Sequence, residues 1–288
     1  MKLAFFAVPA LGDSEAEAEV NRFLGSHRVV AIDRHLVSAE GSAYWAICVT
    51  YLERSLVPDT YACRDGKGTL AAVLAVRRLA GRFRAFAKLD VRSYFASIDH
   101  EVLREILRRR VTGARVLALL DRIVASHEAS PGRGLPIGSL CSQHLANLYL
   151  SGLDRRLVER RMGLVRYMDD VVIFGRDGAE VRSAAEEAIA FARDRLRLVL
   201  AVVHEPAATE RGVPLCGFRV QEGRLSLSLR RRRRYVAARR RAEAAYTVGV
   251  IAGGALQRAA TSALAITAHA DAAAFRRRDL SRRPAPDV

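Results

Sequence analysis

The alternation of apolar and polar positions divides the chain into three stretches, 1–53, 54–222 and 223–288. The first carries a strand-like run from Leu3 to Val8, a helix from Ser14 to Leu24 with Ser14 as N-cap and Glu17 three residues on, and two strands, Arg28 to Val37 and Tyr44 to Leu52, around a turn at Glu40–Gly41. The character changes at Tyr61. The spacing predicts a helix over Thr69 to Ala80, a strand over Arg84 to Leu89 ending at Asp90, and helices over Glu101 to Arg110 and Ala114 to Ala125. Pro131 to Gly138 reads as a loop and Ser142 to Arg161 as one helix. Short strands Leu164 to Tyr167 and Val171 to Phe174 flank Met168–Asp169–Asp170; a helix over Ala179 to Leu196 and strands near Leu198–Val203, Leu215–Val220 and Leu225–Leu229 follow. From Arg230 the chain is helical and heavily basic, and no internal repeat is visible.

Half of the 288 residues are apolar and 27% are charged, which describes a globular chain rather than a disordered one. Lysine and arginine outnumber aspartate and glutamate 47 to 31, a net +16, and only Lys2, Lys67 and Lys88 are lysines. Such an excess favours a polyanionic partner, most often nucleic acid, although an arginine bias alone assigns no function. Cys48, Cys63, Cys141 and Cys216 lie far apart without zinc spacing, so neither a disulfide framework nor a zinc site is expected. No run is long and apolar enough to span a membrane, and the opening MKLAFFAVPALG reads as a first strand rather than a signal segment; a cytoplasmic location is expected.

The strongest chemical signal is RYMDDVVIFG, residues 166–175, where two adjacent carboxylates sit at a tight turn between apolar strands. Crowding two like charges is costly, and a bound cation is the usual compensation. The fragment alone is equally an ordinary Asp-Asp hairpin. FAKLDVRSYFASIDH, residues 86–100, adds a second signal: an apolar strand delivering Asp90 at its end, followed by Tyr94, Phe95 and Asp99. A carboxylate at one strand end beside a carboxylate hairpin suits two divalent ions and in-line phosphoryl transfer, with Mg²⁺ matching oxygen-only ligands. Taken singly, Asp90 is as well explained as a helix cap or ion-pair partner. RDGKGT, 64–69, is similar to a phosphate loop but lacks its spacing, so an NTPase reading is weak.

The order of LDVRSYF, GLPIGSLCSQHLANLYL (134–150), YMDD and GVPLCGFRV (212–220) resembles reverse transcriptases. TYACRDGKGT (60–69), the SQ of IGSLCSQ and the tail ITAHADAAAFRR (266–277) are similar to the diversity-generating retroelement branch. The resemblance implies an α+β right-hand polymerase palm with reduced fingers and a basic helical thumb, preceded by a small β-α-β-β unit. It implies Asp90, Asp169 and Asp170 as catalytic carboxylates and, with Val91, as ligands of two Mg²⁺ ions, for which Mn²⁺ substitutes. Phe95, with Tyr94, would lie at the incoming deoxynucleotide, where an aromatic plane excludes a ribose 2′-hydroxyl; Ile137 and Gly138 would line the nascent base pair. Arg64, Lys67, Ser142, Gln143, Gly217, Phe218, Arg230, Arg231 and Arg234 would meet template and primer. For Phe95 core packing, and for Lys67 a solvated turn, explain the residue without a ligand.

The implied partners are an RNA template, an RNA/DNA duplex, deoxynucleoside triphosphates and a basic accessory protein. Residues 1–53 (FFAVPAL, SHRVVAIDRHLV, YWAICVTYLE) are similar to the start of a retroelement accessory protein with a helicase-and-RNase-D-type C-terminal domain, which would leave the fingers truncated. Val199 stands where such enzymes carry a lysine, and Ser139 where many have asparagine. A group II intron-like or retron-like transcriptase and a non-catalytic RNA-binding relative are the rival readings. Ile137 replaces a glutamine common at that position, which removes a polar constraint on base-pair geometry. The Ile137→Gln variant is therefore expected to misincorporate less opposite template adenine; an unchanged error spectrum in sequenced extension products would refute this.

Overall fold

In a computed structural model of the chain, which describes residues 2–10, 14–26, 29–39, 42–51, 56–64, 66–111 and 114–286, the N-terminal stretch folds as β1 (Lys2–Pro9), α1 (Ser14–Ser26), β2 (Val29–Ala39) and β3 (Ser42–Tyr51). These strands form an antiparallel sheet of order β1-β3-β2. Phe6, Val8 and Ile47 on one face receive Val20 and Phe23 of α1. Phe5, on the opposite face, joins the main core. The expected turn at Glu40–Gly41, the strand ends at Arg28 and Leu52, and Asp65 of the RDGKGT string lie outside the described residues.

Beyond this unit come α2 (Thr69–Arg82), β4 (Ala85–Val91), α3 (Tyr94–Ser97), α4 (His100–Arg108), α5 (Ala114–Ala125), α6 (Leu140–Tyr149), α7 (Ser151–Glu159), β5 (Gly163–Tyr167), β6 (Asp170–Gly175), α8 (Gly178–Leu196) and β7 (Leu200–Ala208). The four strands make an antiparallel sheet of order β5-β6-β4-β7. Its two faces follow from strand alternation. Ala87, Leu89 and Val91 of β4, with Val171 and Ile173 of β6, face a helical layer that includes Leu103, Leu120, Leu145, Leu153 and Ala188. Phe86, Val165, Val172 and Phe174 face the other way, onto α2 and a small sheet of β8 (Val213–Leu215), β9 (Phe218–Val220) and β10 (Leu225–Leu227). The basic tail forms α9 (Leu229–Thr247), α10 (Gly253–Ile266) and α11 (Ala273–Arg282), anchored by Ala272 in the second core and by Tyr235 edge-on to Phe275. Asp99, Asp177 and Ser228 cap α4, α8 and α9 through side-chain oxygens that accept backbone N–H bonds.

Two elements differ from the sequence expectation. The helix expected over Ser142 to Arg161 begins at Leu140 and is broken at Leu150 into α6 and α7. Asn147 and Asp154 both grip Arg166 of β5. Residues seven apart in a straight helix share a face but stand about 10 Å apart along the axis, so the break lets both reach one guanidinium. The single strand expected over Leu215 to Val220 is a hairpin, because Cys216 and Gly217 both adopt positive φ (48° and 80°). That is the type I′ pattern, in which Gly217 is at ease and Cys216 is not.

Arg166 is fully buried, as is Asp154. Its Nε donates to both oxygens of Asp154 at 2.7 and 2.9 Å, and its Nη2 to Asp154 Oδ2 and the Asn147 carbonyl. Its Nη1 donates to Asn147 Oδ1 and the Met168 carbonyl. Thr60 Oγ1 donates to Asp154, and Asn147 Nδ2 to the Ala62 carbonyl, so the loop ahead of α2 joins the network. Removing one partner of such a pair leaves an uncompensated buried charge, worth about 3–5 kcal/mol. Asp154→Ala is accordingly expected to lower the unfolding midpoint sharply in thermal or urea denaturation, whereas a paired apolar replacement, Arg166→Met with Asp154→Leu, recovers most of that loss.

Candidate active site

The carboxylates gather where β4, β6 and the β5–β6 turn end together. β4 runs antiparallel to β6 with Leu89 opposite Val171, so one step further along the same register sets Asp90 level with Asp170. Tyr167 pairs with Asp170, leaving Met168 and Asp169 as the two central residues of the hairpin. Met168 has φ 55°, a strained value for a side-chain-bearing residue, and its carbonyl is held by Arg166. On the other side of β5, Tyr167 accepts a hydrogen bond from Thr69 at 3.1 Å. The turn that presents Asp169 is thus fixed from both faces of the sheet.

Electrostatics mark the three acids as unequal. Burial, followed by the charge of Asp170, pushes the Asp90 carboxyl up from its ordinary value, although the Val91 N–H bond and Lys88 oppose this. Burial also raises Asp169, aided by the charges of Asp90 and Asp170. Asp170 is paired with Lys88, whose Nζ lies 2.5 Å from Oδ1. Lys88 sits two residues before Asp90 on the same face of β4 and is the site residue that the sequence reading missed. Its signal was a lone lysine inside an apolar strand, in a chain whose other cations are almost all arginine.

Among the described residues no group of three or more His, Cys, Asp or Glu side chains is arranged as a metal site. The donor chemistry nevertheless fits a hard divalent cation. Asp90 and Asp169 offer oxygen ligands, burial pushes both carboxyls up from their ordinary value, and neither is ion-paired among the described residues. The third carboxylate is neutralised by Lys88 instead. Val91, expected beside Asp90 among the ligands, is buried and paired with Leu200 of β7.

The remaining candidates fall at different depths. Phe95 is half-buried and tilted against Tyr94. Tyr94 is buried, and its hydroxyl donates to the Ala146 carbonyl at 2.5 Å, so it backs Phe95 from within the core. The Leu135 N–H donates to the Phe95 carbonyl, which carries the following Ile137 and Gly138 out beside it. Ile137 is 86% exposed, unusual for isoleucine, and Gly138 has φ 91°. Ser142 is wholly buried and its hydroxyl has no partner among the described residues; Gln143 accepts a bond from Cys63. Arg64 donates to the Val57 and Thr60 carbonyls, and Lys67 lies over the Tyr61 ring while donating to the Pro58 carbonyl. Both bind their own loop together.

Phe218 and Gly217 belong to the β8–β9 hairpin, whose Cys216 is close enough to feel Asp170 and Lys88. Burial pushes that thiol up to about 12, so it stays neutral. Arg231 stacks on the Phe218 ring at 4.1 Å and donates to the Ile266 carbonyl. Arg230 and Arg234 are exposed on α9. Of the departures noted in the sequence, Val199 is exposed, and Ser139 precedes α6 without a side-chain cap bond.

The family described as Reverse transcriptase (RNA-dependent DNA polymerase) matches residues 26–201. That span begins inside the N-terminal unit, so β2 and β3 fall within it. Protein YkfC of Escherichia coli (strain K12) is 32% identical over 77 residues, 25% of this chain and 20% of that protein; the chain thus aligns with only a fifth of this curated relative. Among solved structures, telomerase from Candida albicans in complex with the TWJ fragment of telomeric RNA is similar at 11% identity and a TM-score of 0.41, covering 59% of this chain and 35% of that one. No helix among the described residues is long and apolar enough to cross a membrane.

A carboxyl whose pKa is raised on folding contributes most below its unfolded value, and that contribution is lost as pH rises through the folded value. Metal-free protein is therefore expected to lose stability as pH climbs upward from the ordinary carboxylate range, and Mg²⁺ or Mn²⁺ to restore it. Asp169→Asn should raise the metal-free melting temperature at neutral pH and abolish the metal-dependent increment; calorimetry with and without added cation reads both.

Proposed function

The chain belongs to the reverse transcriptase (RNA-dependent DNA polymerase) family, and from that premise we propose that it is an RNA-directed DNA polymerase of the diversity-generating retroelement type. The observation that carries this reading is the convergence of Asp90, Asp169 and Asp170 at one end of a four-stranded antiparallel sheet. Members of this family generally use divalent metal ions, typically Mg²⁺. Held by Asp90 and Asp169, such an ion would supply Lewis-acid activation of a primer 3′-hydroxyl and neutralisation of phosphate charge.

This chain's own residues would do the rest. Asp90 and Asp169 contribute the negative charge that draws the cation in, and Arg166 keeps the Met168 carbonyl, and with it the Asp169 turn, in one position. Phe95 would press on the sugar of the incoming deoxynucleotide and exclude a 2′-hydroxyl by sterics. Ile137 and Gly138, emerging beside it, would contact the nascent pair without a polar side chain, which supports the error-prone branch, as does the SQ pair of Ser142 and Gln143. In this reading the sheet is the palm, α9 to α11 form the thumb, and the Cys216–Gly217 turn holds the primer end. The arginines of α9 would grip an RNA/DNA duplex through its phosphates, a hold that weakens with salt and ignores sequence. A template RNA, deoxynucleoside triphosphates and a basic accessory protein complete the proposed partners, in the cytoplasm.

A second reading, RNA binding without turnover, is favoured by Val199, which carries no proton to donate, and by Lys88 on Asp170. Primer extension on an RNA template with Mg²⁺ or Mn²⁺ separates the two. Extension by the native chain that falls to background in Asp169→Ala is the expected result; binding of the primed template by both proteins, with extension by neither, would establish the second reading.

A further inference from the structure

A cavity of about 360 Å³ opens in the helical layer, between α4, the α6–α7 junction and the C-terminal turn of α8. The sheet separates this layer from the face that carries Asp90 and Asp170. The floor is apolar, with half-buried Ile106 and Phe191 packed on the main core. Gly152 lets the Phe191 ring edge lie against the α7 backbone; a Cβ there would stand 3.3 Å from the ring.

The rim is cationic. Arg109, Arg110, Arg155 and Arg195 all line the cavity, and the one acid there, Glu105, is taken by Arg109. Arg155 and Arg195 are exposed and neither is in a salt bridge with a carboxylate among the described residues, although the charge of Arg195 also acts on the adjacent Asp194. Arg110 lies within 3.5 Å of the Ser151 hydroxyl, and burial together with the charge of Arg155 pulls its guanidinium below the ordinary value. Like charges gathered over a low-dielectric floor focus a positive potential into the cavity. The arrangement matches an amphipathic anion: a flat apolar part for Ile106 and Phe191, and an oxyanion that takes the arginine fork in two parallel bonds. An acidic peptide offers the charge without the flat ring, whereas a nucleotide offers both.

We propose that this cavity is a second nucleotide-binding site, taking one nucleotide unit with its base on Ile106 and Phe191 and its phosphate on Arg110, Arg155 and Arg195. A single strand and a free nucleotide present the same chemistry. The site lies outside the carboxylate face, so it stands whether or not the chain polymerises.

The test is photocrosslinking of the full chain, without divalent metal, to a short single-stranded RNA containing thiouridine and, separately, to azido-adenosine monophosphate, with mass-spectrometric mapping of the adducts. Adducts are expected on the peptides containing Ile106 or Phe191. The double variant Arg155→Glu/Arg195→Glu should lose them about tenfold, while RNA adducts on α9 change less than about twofold. Should the double variant not fold, Arg155→Gln is expected to give a smaller loss at the same peptides. Stronger protection by unlabelled RNA than by AMP assigns the cavity to a strand, and equal protection to free nucleotides; both support the site. Absence of adducts on α4 and α8, adducts indifferent to both variants, or protection by oligoglutamate in place of RNA would overturn it.

Discussion

A guanidinium wholly removed from water governs the geometry of this protein. Desolvating Arg166 is costly, and the cost is met only because Asp154, Asn147 and the Met168 carbonyl accept from Nε, Nη1 and Nη2 together. The acceptors belong to α6, α7 and the β5–β6 hairpin, and Thr60 and Ala62 join through Asp154 and Asn147, so satisfying one side chain sets three things at once. It breaks the helix at Leu150, docks the loop ahead of α2 through Thr60 and Ala62, and holds the hairpin that carries Asp169. Apolar packing alone specifies none of these to the same degree, since apolar contacts tolerate sliding and hydrogen bonds to a planar fork do not.

With the turn fixed from behind, the exposed face faces an electrostatic problem of its own. Asp90 and Asp170 stand level on neighbouring strands and Asp169 lies within the turn; the charge of Asp170 raises the cost of ionising Asp90, and the charges of both raise that of Asp169. Lys88 relieves part of this by pairing with Asp170, and the neighbouring Cys216 thiol, kept protonated by burial, adds no further negative charge. Asp90 and Asp169 are left strained towards protonation. A divalent cation relieves that strain more fully than a single ammonium group, which is why the unpaired two, rather than all three equally, carry the affinity in the mechanism proposed above.

Much of this was legible in the sequence, and the parts that were not share a cause. Strand alternation and the strand-ending Asp90 are local signals, and the elements they predict are present within a few residues of their expected ends. The break at Leu150 was not legible, because Asn147 and Asp154 sit on one helical face in any straight helix and only Arg166, on the strand that follows, draws both to one guanidinium. The turn within Leu215–Val220 is masked in the apolar pattern by its flanking residues, although the resemblance carried by GVPLCGFRV implies a hairpin at Cys216–Gly217–Phe218. Arg166 itself stood in plain view in RYMDD, yet a charged residue in a strand gives no indication of which face it serves until the partner face is known. Tyr94 and Ser142 teach the converse: polar groups next to the candidate site residues in sequence are turned into the core by the short helices that carry them.

The same consideration changes what the net charge of +16 means. Arg64, Arg166, Arg197 and Arg239 are spent within the molecule, on loop carbonyls or on Asp154, Asp99 and Asp279. Their charge shapes the fold and offers little to a polyanion. The available positive potential resides instead on particular faces, chiefly the exposed arginines of α9 and the rim of the cavity beside α8. Arg231 stands at the border between the two kinds. It lies one residue after exposed Arg230, yet stacks on Phe218 and donates to the Ile266 carbonyl, fastening the β8–β9 hairpin to α9 and α10. In the proposed reading a phosphate drawn to Arg230 or Arg234 would load a helix tied through Arg231 to the Cys216–Gly217 turn, where Cys216 feels the charge of Asp170. Duplex contact and carboxylate geometry would then be coupled through one side chain, and a lysine at that position, without a planar face to lay on the ring, would weaken the coupling while leaving the charge unchanged.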